Sequence, residues 1–231
     1  MDENIFERYE KKYGMSKAQY ESFMNKIRDK IIPDAFPVSE VCSLYLDTDN
    51  CVIIRNSIDA VNYKEKLRLR SYGSAKDDGL VFMEIKKKLD GIVYKRRIPV
   101  TYQQAMNYFE HHELPNQTQI MKEIDYAMNL YGNVKPKVLI IYDRLAYVDK
   151  EDPDIRITFD TNIRYRIDDL DMRKETKGDQ LLDEDHILME VKSPGYVPLW
   201  LAGAMDELEI RRAKFSKYGT IYQNNREVLT R

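Results

Sequence analysis

The chain has 231 residues, 37 of them basic and 39 acidic, for a net charge of −2. That length suits a single domain with a real core, and the near balance of charge argues against a protein that holds nucleic acid through an overall basic excess. Cys42 and Cys51, the only cysteines, make neither a disulfide framework nor a metal cluster and are expected as free thiols in a reducing compartment.

The first residues, MDENIFERYEKKYGM, hold no apolar run resembling a signal peptide, and no stretch is long and apolar enough to span a bilayer, so a cytoplasmic protein is expected. Phe6–Tyr13 alternates as a first strand, with Arg8, Glu10 and Lys12 on one face. Ser16 and Gln19 form a capping box ahead of Tyr20, Phe23, Met24, Ile27 and Ile31 at helical spacing, a core-facing stripe that Pro33 and Pro37 end. Val41–Leu46 reads as a strand. Asp47–Asn50 reads as a turn, lacking the glycine and terminal glutamate of a calcium loop, and Cys51–Arg55 as a second strand-like run.

Lys64–Tyr72, Leu80–Lys88 and Ile92–Ile98 are three further strands, the last two joined by Asp90-Gly91, a two-residue hairpin signal. Period two sorts their side chains. Lys66, Arg68 and Arg70 oppose Leu67 and Leu69. Glu84, Lys86 and Lys88 oppose Val81, Met83 and Ile85, while Lys95 and Arg97 oppose Tyr94 and Ile98. Thr101 and Gln104 cap a second helix, and a polar connection from His111 to Gln117 leads to a third bearing Ile120, Ile124, Met128 and Tyr131. Lys137–Tyr147 is a strand with Tyr142 and Arg144 on one face, followed by an acidic turn, Asp149–Asp154. Ile155–Asp160 alternates again, Arg164–Gly178 runs from strand into charged loop, and His186–Lys192 puts Glu190 and Lys192 on one face. From Pro198 the chain reads as helical, with Lys214 and Lys217 sharing a face.

No linker or low-complexity segment interrupts this pattern. The expected architecture is one α+β domain over residues 1–231: an antiparallel β tunnel or barrel with a polar interior and peripheral helices. Directly opposed like charges destabilise a sheet, so a cationic stripe repeated on consecutive strands implies a strongly anionic occupant. Arg8, Lys12, Arg68, Arg70, Lys86, Lys95, Arg144, Arg156, Lys192, Lys214 and Lys217 around one hollow would be offset only in part by Glu10, Glu84 and Glu190. A condensed phosphate chain matches that demand. Arginine binds phosphoryl oxygens with a planar fork and lysine with a point charge, and a carboxylate among them would hold a divalent metal whose shell the substrate completes. No P-loop, GxGxxG, HExxH or GxSxG pattern competes with this reading.

Residues 8–13 (RYEKKY), 67–73 (LRLRSYG), 81–86 (VFMEIK), Tyr142-Asp143-Arg144, Arg156–Asp160, Leu188–Lys192 and 214–217 (KFSK) resemble, in order, the catalytic domain of the VTC (vacuolar transporter chaperone) family. That family is a branch of the CYTH, or triphosphate tunnel metalloenzyme, superfamily. The resemblance implies an eight-stranded antiparallel tunnel and a polyphosphate polymerase that moves the terminal phosphate of ATP onto a growing chain with manganese or magnesium. It implies that Lys12, Arg68, Arg70, Lys86, Lys95, Arg144 and Arg156 bind phosphates, with Tyr142 hydrogen-bonded to one of them and Lys192 among the cations. Lys214, Ser216 and Lys217 would contact phosphate near a tunnel mouth, and Glu190 with Glu10 would face the metal. Triphosphatases of the superfamily begin with a Glu-x-Glu-x-Lys strand, whereas Arg8 stands at the first acidic position here, which leans away from plain hydrolysis. Eukaryotic members also carry an inositol-phosphate-sensing domain and membrane helices, neither found in this sequence, so regulation and translocation of product are not carried over, and a membrane partner protein stays open. Two alternatives stay open: a triphosphatase acting on tripolyphosphate or nucleoside triphosphate, and a non-catalytic module that binds polyphosphate or RNA.

Overall fold

The computed structural model describes residues 9–60, 62–90 and 92–230. Its elements run β1 (Tyr9–Ser16), α1 (Lys17–Ile27), β2 (Ile31–Asp47), α2 (Val52–Asp59), β3 (Tyr63–Tyr72), β4 (Leu80–Leu89), β5 (Ile92–Thr101), α3 (Tyr102–His111) and α4 (Gln119–Tyr131). They continue through β6 (Lys135–Asp149), β7 (Arg156–Arg166), β8 (Asp179–Gln180), β9 (His186–Ser193), α5 (Leu199–Glu207), α6 (Lys217–Asn224) and α7 (Arg226–Leu229). Eight strands follow one hydrogen-bonded path, β1-β9-β7-β6-β2-β3-β4-β5, and the short β8 pairs with β7 to make a nine-stranded sheet. Among the described residues β1 and β5 stand at the two ends of this path. The edge of β1 is occupied by a neighbouring segment: Arg212 bridges to Tyr13, and the amide of Ala213 donates to the carbonyl of Lys12 at 2.8 Å.

The chain forms two compact units. One comprises Met1–Ser39, Tyr142–Ile163 and Leu182–Phe215; the other Glu40–Ile141, Arg164–Leu181 and Ser216–Arg231. In the first, β9 pairs antiparallel with both β1 and β7. The apolar face of these strands carries Tyr13, Met15, Ile157, Phe159, Ile187, Met189 and Val191. It buries against Phe23 and Ile27 of α1 and Leu201, Ala204 and Met205 of α5. In the second, β2, β3, β4 and β5 pair antiparallel in that order. Leu44, Leu67, Leu69, Val81, Met83, Ile85, Ile98 and Val100 meet Ala105 and Tyr108 of α3 and Met121, Ile124 and Met128 of α4. Period-two alternation therefore places Arg68, Arg70, Glu84, Lys86 and Lys95 in one unit, and Lys12, Glu190 and Lys192 in the other, on the face opposite the one packed under α1, α3, α4 and α5.

Both expected capping boxes form. Ser16 and Thr101 each accept from the amide three residues on, and Gln19 and Gln104 each reach back to the cap amide. Three expectations are corrected. The first helix stops at Ile27, so Ile31 opens β2 and Pro33 and Pro37 lie inside that strand. Most of that segment is exposed, where a strand proline is tolerated. Cys51–Arg55 is not a strand, because Val52–Asp59 is helical. The buried Asp47 carboxylate explains this by accepting from the amides of Ile53 and Ile54 at 2.9 Å each and satisfying the donors of the first turn. Nor is the C-terminal segment a single helix. Glu209 takes a left-handed conformation (φ 53°), and residues 211–216 run irregularly between α5 and α6.

Asp90 adopts positive φ (48°), as a tight hairpin requires, while Gly91 lies outside the described residues, as do Phe6, Glu7 and Arg8. Cys42 and Cys51 are free and buried. Among the described residues no helix is long and apolar enough to cross a membrane.

Candidate functional site

In the larger unit the strand registers stack the charged side chains into rungs. Arg70, Phe82 and Pro99 stand opposite one another on β3, β4 and β5. Next come Arg68, Glu84 and Arg97; then Lys66, Lys86 and Lys95; then Lys64, Lys88 and Val93. Strand β2 adds Ser43 opposite Arg70 and Tyr45 opposite Arg68. Glu84 is the only acid in these rungs. Arg68 donates through Nε to Glu84 Oε2 at 2.6 Å and through Nη1 to the Tyr45 hydroxyl at 3.2 Å. Lys95 Nζ lies 2.9 Å from Glu84 Oε1. Arg70 donates to Ser43 Oγ at 3.3 and 3.4 Å, and Lys66 donates to Ser216 Oγ at 2.8 Å. Ser216 caps α6 by accepting from the Gly219 amide, and Lys217 is the first helical residue.

An ordinary polar sheet face would be solvated throughout, whereas Glu84 and Arg70 at the centre of this one are buried. Glu84 is 1% exposed and Arg70 6%. Lys95 is crowded by protein atoms yet keeps 37% of its side chain open to solvent. Burial would raise the Glu84 carboxyl, but Arg68, Arg70 and Lys95 hold it down at about 2. Burial and the two arginines bring the Lys95 ammonium down to about 7 against the pull of Glu84. The two shifts differ in their main cause: the cations outweigh burial at Glu84, whereas burial leads at Lys95 and the arginines add to it. Tyr45 is buried against the ring of Tyr218, 4.9 Å between centroids. Burial would raise its phenol, but Arg68, Lys66 and Arg70 outweigh burial and lower it to about 7.

The smaller unit carries its own set. Lys12 of β1 stands opposite Glu190 of β9, and Glu10 opposite Lys192, so the signs alternate across the pair. On the other side of β9, Arg156 faces Lys192 and Thr158 faces Glu190. Arg144 grips the fully buried Asp160 with two hydrogen bonds, Nε to Oδ1 at 2.6 Å and Nη2 to Oδ2 at 2.9 Å. Its guanidinium carbon lies 5.1 Å from the centre of the buried Tyr142 ring. Burial disfavours the Arg144 charge, but Tyr142, Asp160 and Glu190 outweigh it and hold the guanidinium well above its ordinary value. Lys192 pairs with Glu190 at 2.9 Å, Lys12 donates to the carbonyl of Phe215 at 3.2 Å, and Arg156, 46% exposed, pairs with Asp34.

Glu190 and Glu10 share a strand face, and the buried Thr158 hydroxyl opposite Glu190 has no hydrogen-bond partner. These hard oxygen donors fit magnesium or manganese, which keeps several waters and substrate oxygens in its shell. Among the described residues no three acids, histidines or cysteines gather into a complete cage.

The structure thus brings Arg68, Arg70, Lys86, Lys95, Ser216 and Lys217 into one unit, and Lys12, Tyr142, Arg144, Arg156, Glu190 and Lys192 into the other. Lys214 is exposed in the irregular segment before α6, so it shares no helix face with Lys217. Sequence reasoning passed over Ser43, Tyr45, Thr158, Asp160 and Asp34 as site residues. The same period-two rule puts Ser43 and Tyr45 on the charged face, since Cys42, Leu44 and Leu46 take the core side, though it does not say what they do there. A cavity of about 850 Å³ elsewhere in the larger unit is lined by Arg166, Arg173, Lys174 and Lys177. There Lys174 pairs with Asp169, Arg173 with Asp171 and Lys177 with Glu175, so its charge is already matched.

The family model described as the VTC domain matches residues 7–224. A crystal structure of a protein assigned as an adenylate cyclase from Bacillus halodurans superposes with a TM-score of 0.57 at 11% identity, covering 91% of this chain and 95% of that one. A protein from Hippeastrum, assigned as an adenylyl cyclase and described as having a dominant triphosphatase activity, gives a TM-score of 0.56 at 12% identity, with coverage of 94% and 96%. At such identities the likeness is one of fold. A search of curated proteins found no match.

Proposed function

This chain belongs to the VTC domain family, and on that footing we propose that it is a polyphosphate polymerase, transferring the terminal phosphate of ATP to a growing chain. The observation that carries the reading is the run of cationic rungs in which Glu84 is the only acid, buried and outnumbered. Such a face is short of negative charge until phosphate arrives. We take the whole chain as one catalytic domain, working in the cytoplasm where ATP is at hand.

In this reading a terminal oxygen of the chain attacks the γ-phosphorus of ATP, the bond to the β–γ bridging oxygen breaks, and ADP leaves with that oxygen. The attacking oxygen is already an anion, so the protein supplies no base. Positioning and charge stabilisation carry the reaction. Arg68 and Arg70 bind equatorial oxygens with their forks, and Lys86 and Lys95 add point charges. The smaller unit holds its own phosphate-binding cations in Lys12, Arg144, Arg156 and Lys192, with Tyr142 as a hydrogen-bond donor and Asp160 fixing the Arg144 plane. Ser216 and Lys217 offer a helix N-terminus to phosphate, and the exposed Lys214 adds charge. Glu190 and Glu10 would hold magnesium or manganese, which would supply charge neutralisation to bound phosphate.

The test is to incubate the purified chain with ATP and manganese and resolve the products on a gel. A ladder of lengthening polyanions is expected, and Glu190→Gln should abolish it. Release of ADP and orthophosphate without chains would instead favour the triphosphatase reading, the activity described for the Hippeastrum protein of the same fold. Tight, salt-sensitive binding with no turnover would leave a polyphosphate-binding module.

A further inference from the structure

The rungs do not stop at the residues assigned above. Beyond Lys66, Lys86 and Lys95, strand β3 places Lys64 directly opposite Lys88 of β4, with Val93 beside them on β5. No acid stands in either of these last two rungs. The other face of the same two strands is built differently, for there Glu65 stands opposite Lys87 and pairs with it at 3.6 Å. One hairpin thus matches opposite charges on its core side and opposes like charges on its polar side. Like charges in register are destabilising, and generic surface charge would not be sorted by face in this way.

We propose that Lys64 and Lys88 form a subsite for the distal phosphates of a long polyphosphate chain, one rung past the phosphate-binding residues. The proposal rests on the polyphosphate reading and adds a direction to it. Each rung advances about 7 Å along the strands, so Arg70 to Lys64 spans about 20 Å. A chain laid along this face runs toward the β4–β5 hairpin.

Calorimetric titration of the full chain and of a Lys64→Gln, Lys88→Gln double variant, with tripolyphosphate and with a long polyphosphate, tests it. The variant is expected to bind the long chain about tenfold more weakly at low salt, with the slope of log Kd against log salt reduced by about 1.4, roughly 0.7 per lost contact. Its tripolyphosphate affinity and melting temperature should match the wild type. Equal losses for both ligands, or no loss for either, would overturn the subsite. So would a loss confined to single-stranded RNA of matched charge, which would assign the face to nucleic acid. If the double variant does not fold, Lys88→Gln alone, at an exposed strand end, carries the same comparison with about half the change in slope. Because the readout is binding, it stands or falls independently of whether ATP yields chains.

Discussion

Glu84 meets more positive charge than one carboxylate can neutralise. Arg68 and Lys95 both bind it, Arg70 adds its field, and neither arginine can shed a proton. Burial together with the two arginines brings Lys95 to about 7 from 10.5, and the surrounding cations overcome burial to bring Tyr45 to about 7 from 10.0. Between pH 7 and 10 the folded chain holds fewer protons on these groups than the unfolded chain, so stability without ligand rises with pH across that window. Phosphate acts in the opposite sense, since it is bound best by charged Lys95 and neutral Tyr45. Binding of tripolyphosphate at pH 8 is expected to take up protons, measurable by calorimetry in buffers of different ionisation enthalpy, and affinity should fall as pH rises through 7. Tyr45→Phe should remove part of the uptake; uptake unchanged in that variant would free Tyr45 of this role. The basic residues of this cluster were legible from alternation alone. The importance of Tyr45 was not, because a buried tyrosine on a strand reads as packing until its Arg68 neighbour is seen.

At the scale of elements, β6 and β7 are tied by the Arg144–Asp160 pair. Asp160 is fully buried, so Arg144→Ala would take both guanidinium hydrogen bonds from a buried carboxylate and is expected to cost about 3–5 kcal/mol of stability as well as activity. Replacing both, Arg144→Met with Asp160→Leu, should restore the melting temperature and leave activity lost. Arg156, exposed and paired with Asp34, is different: Arg156→Ala should change stability by less than about 1 kcal/mol while abolishing turnover. Thermal melts beside activity assays separate these outcomes, and equal destabilisation of both single variants would refute the distinction. The existence of β3, β4 and β5 and both capping boxes were readable because their causes are local: period two, a hairpin turn, a hydroxyl three residues before a glutamine; β5 itself runs on to Thr101, three residues past the expected Ile98. Val52–Asp59 escaped because its short apolar run fits strand or helix equally. The deciding contact, Asp47 to the amides of Ile53 and Ile54, is a capping interaction that hydrophobic periodicity does not register. Lys214 was misplaced for a similar reason, since residues before α6 are drawn into extended pairing with β1.

For the whole molecule, each unit buries one apolar face under helices and keeps a basic set on the other. The VTC match spans both units, residues 7–224. Sequence periodicity foretold that division of faces. It was silent on how far each charge is buried, which decides whether such a face is a solvated exterior or a binding surface. The most direct measurement is the melting temperature of the purified chain titrated with tripolyphosphate at low and high salt. At a hundredfold excess over Kd, binding should add about 2.7 kcal/mol. A protein of this size should then melt about 5–10 °C higher, with the gain shrinking at high salt and nearly absent for sulfate at equal ionic strength. No rise, or the same rise with sulfate, would contradict the claim that these rungs are built to hold a phosphate chain.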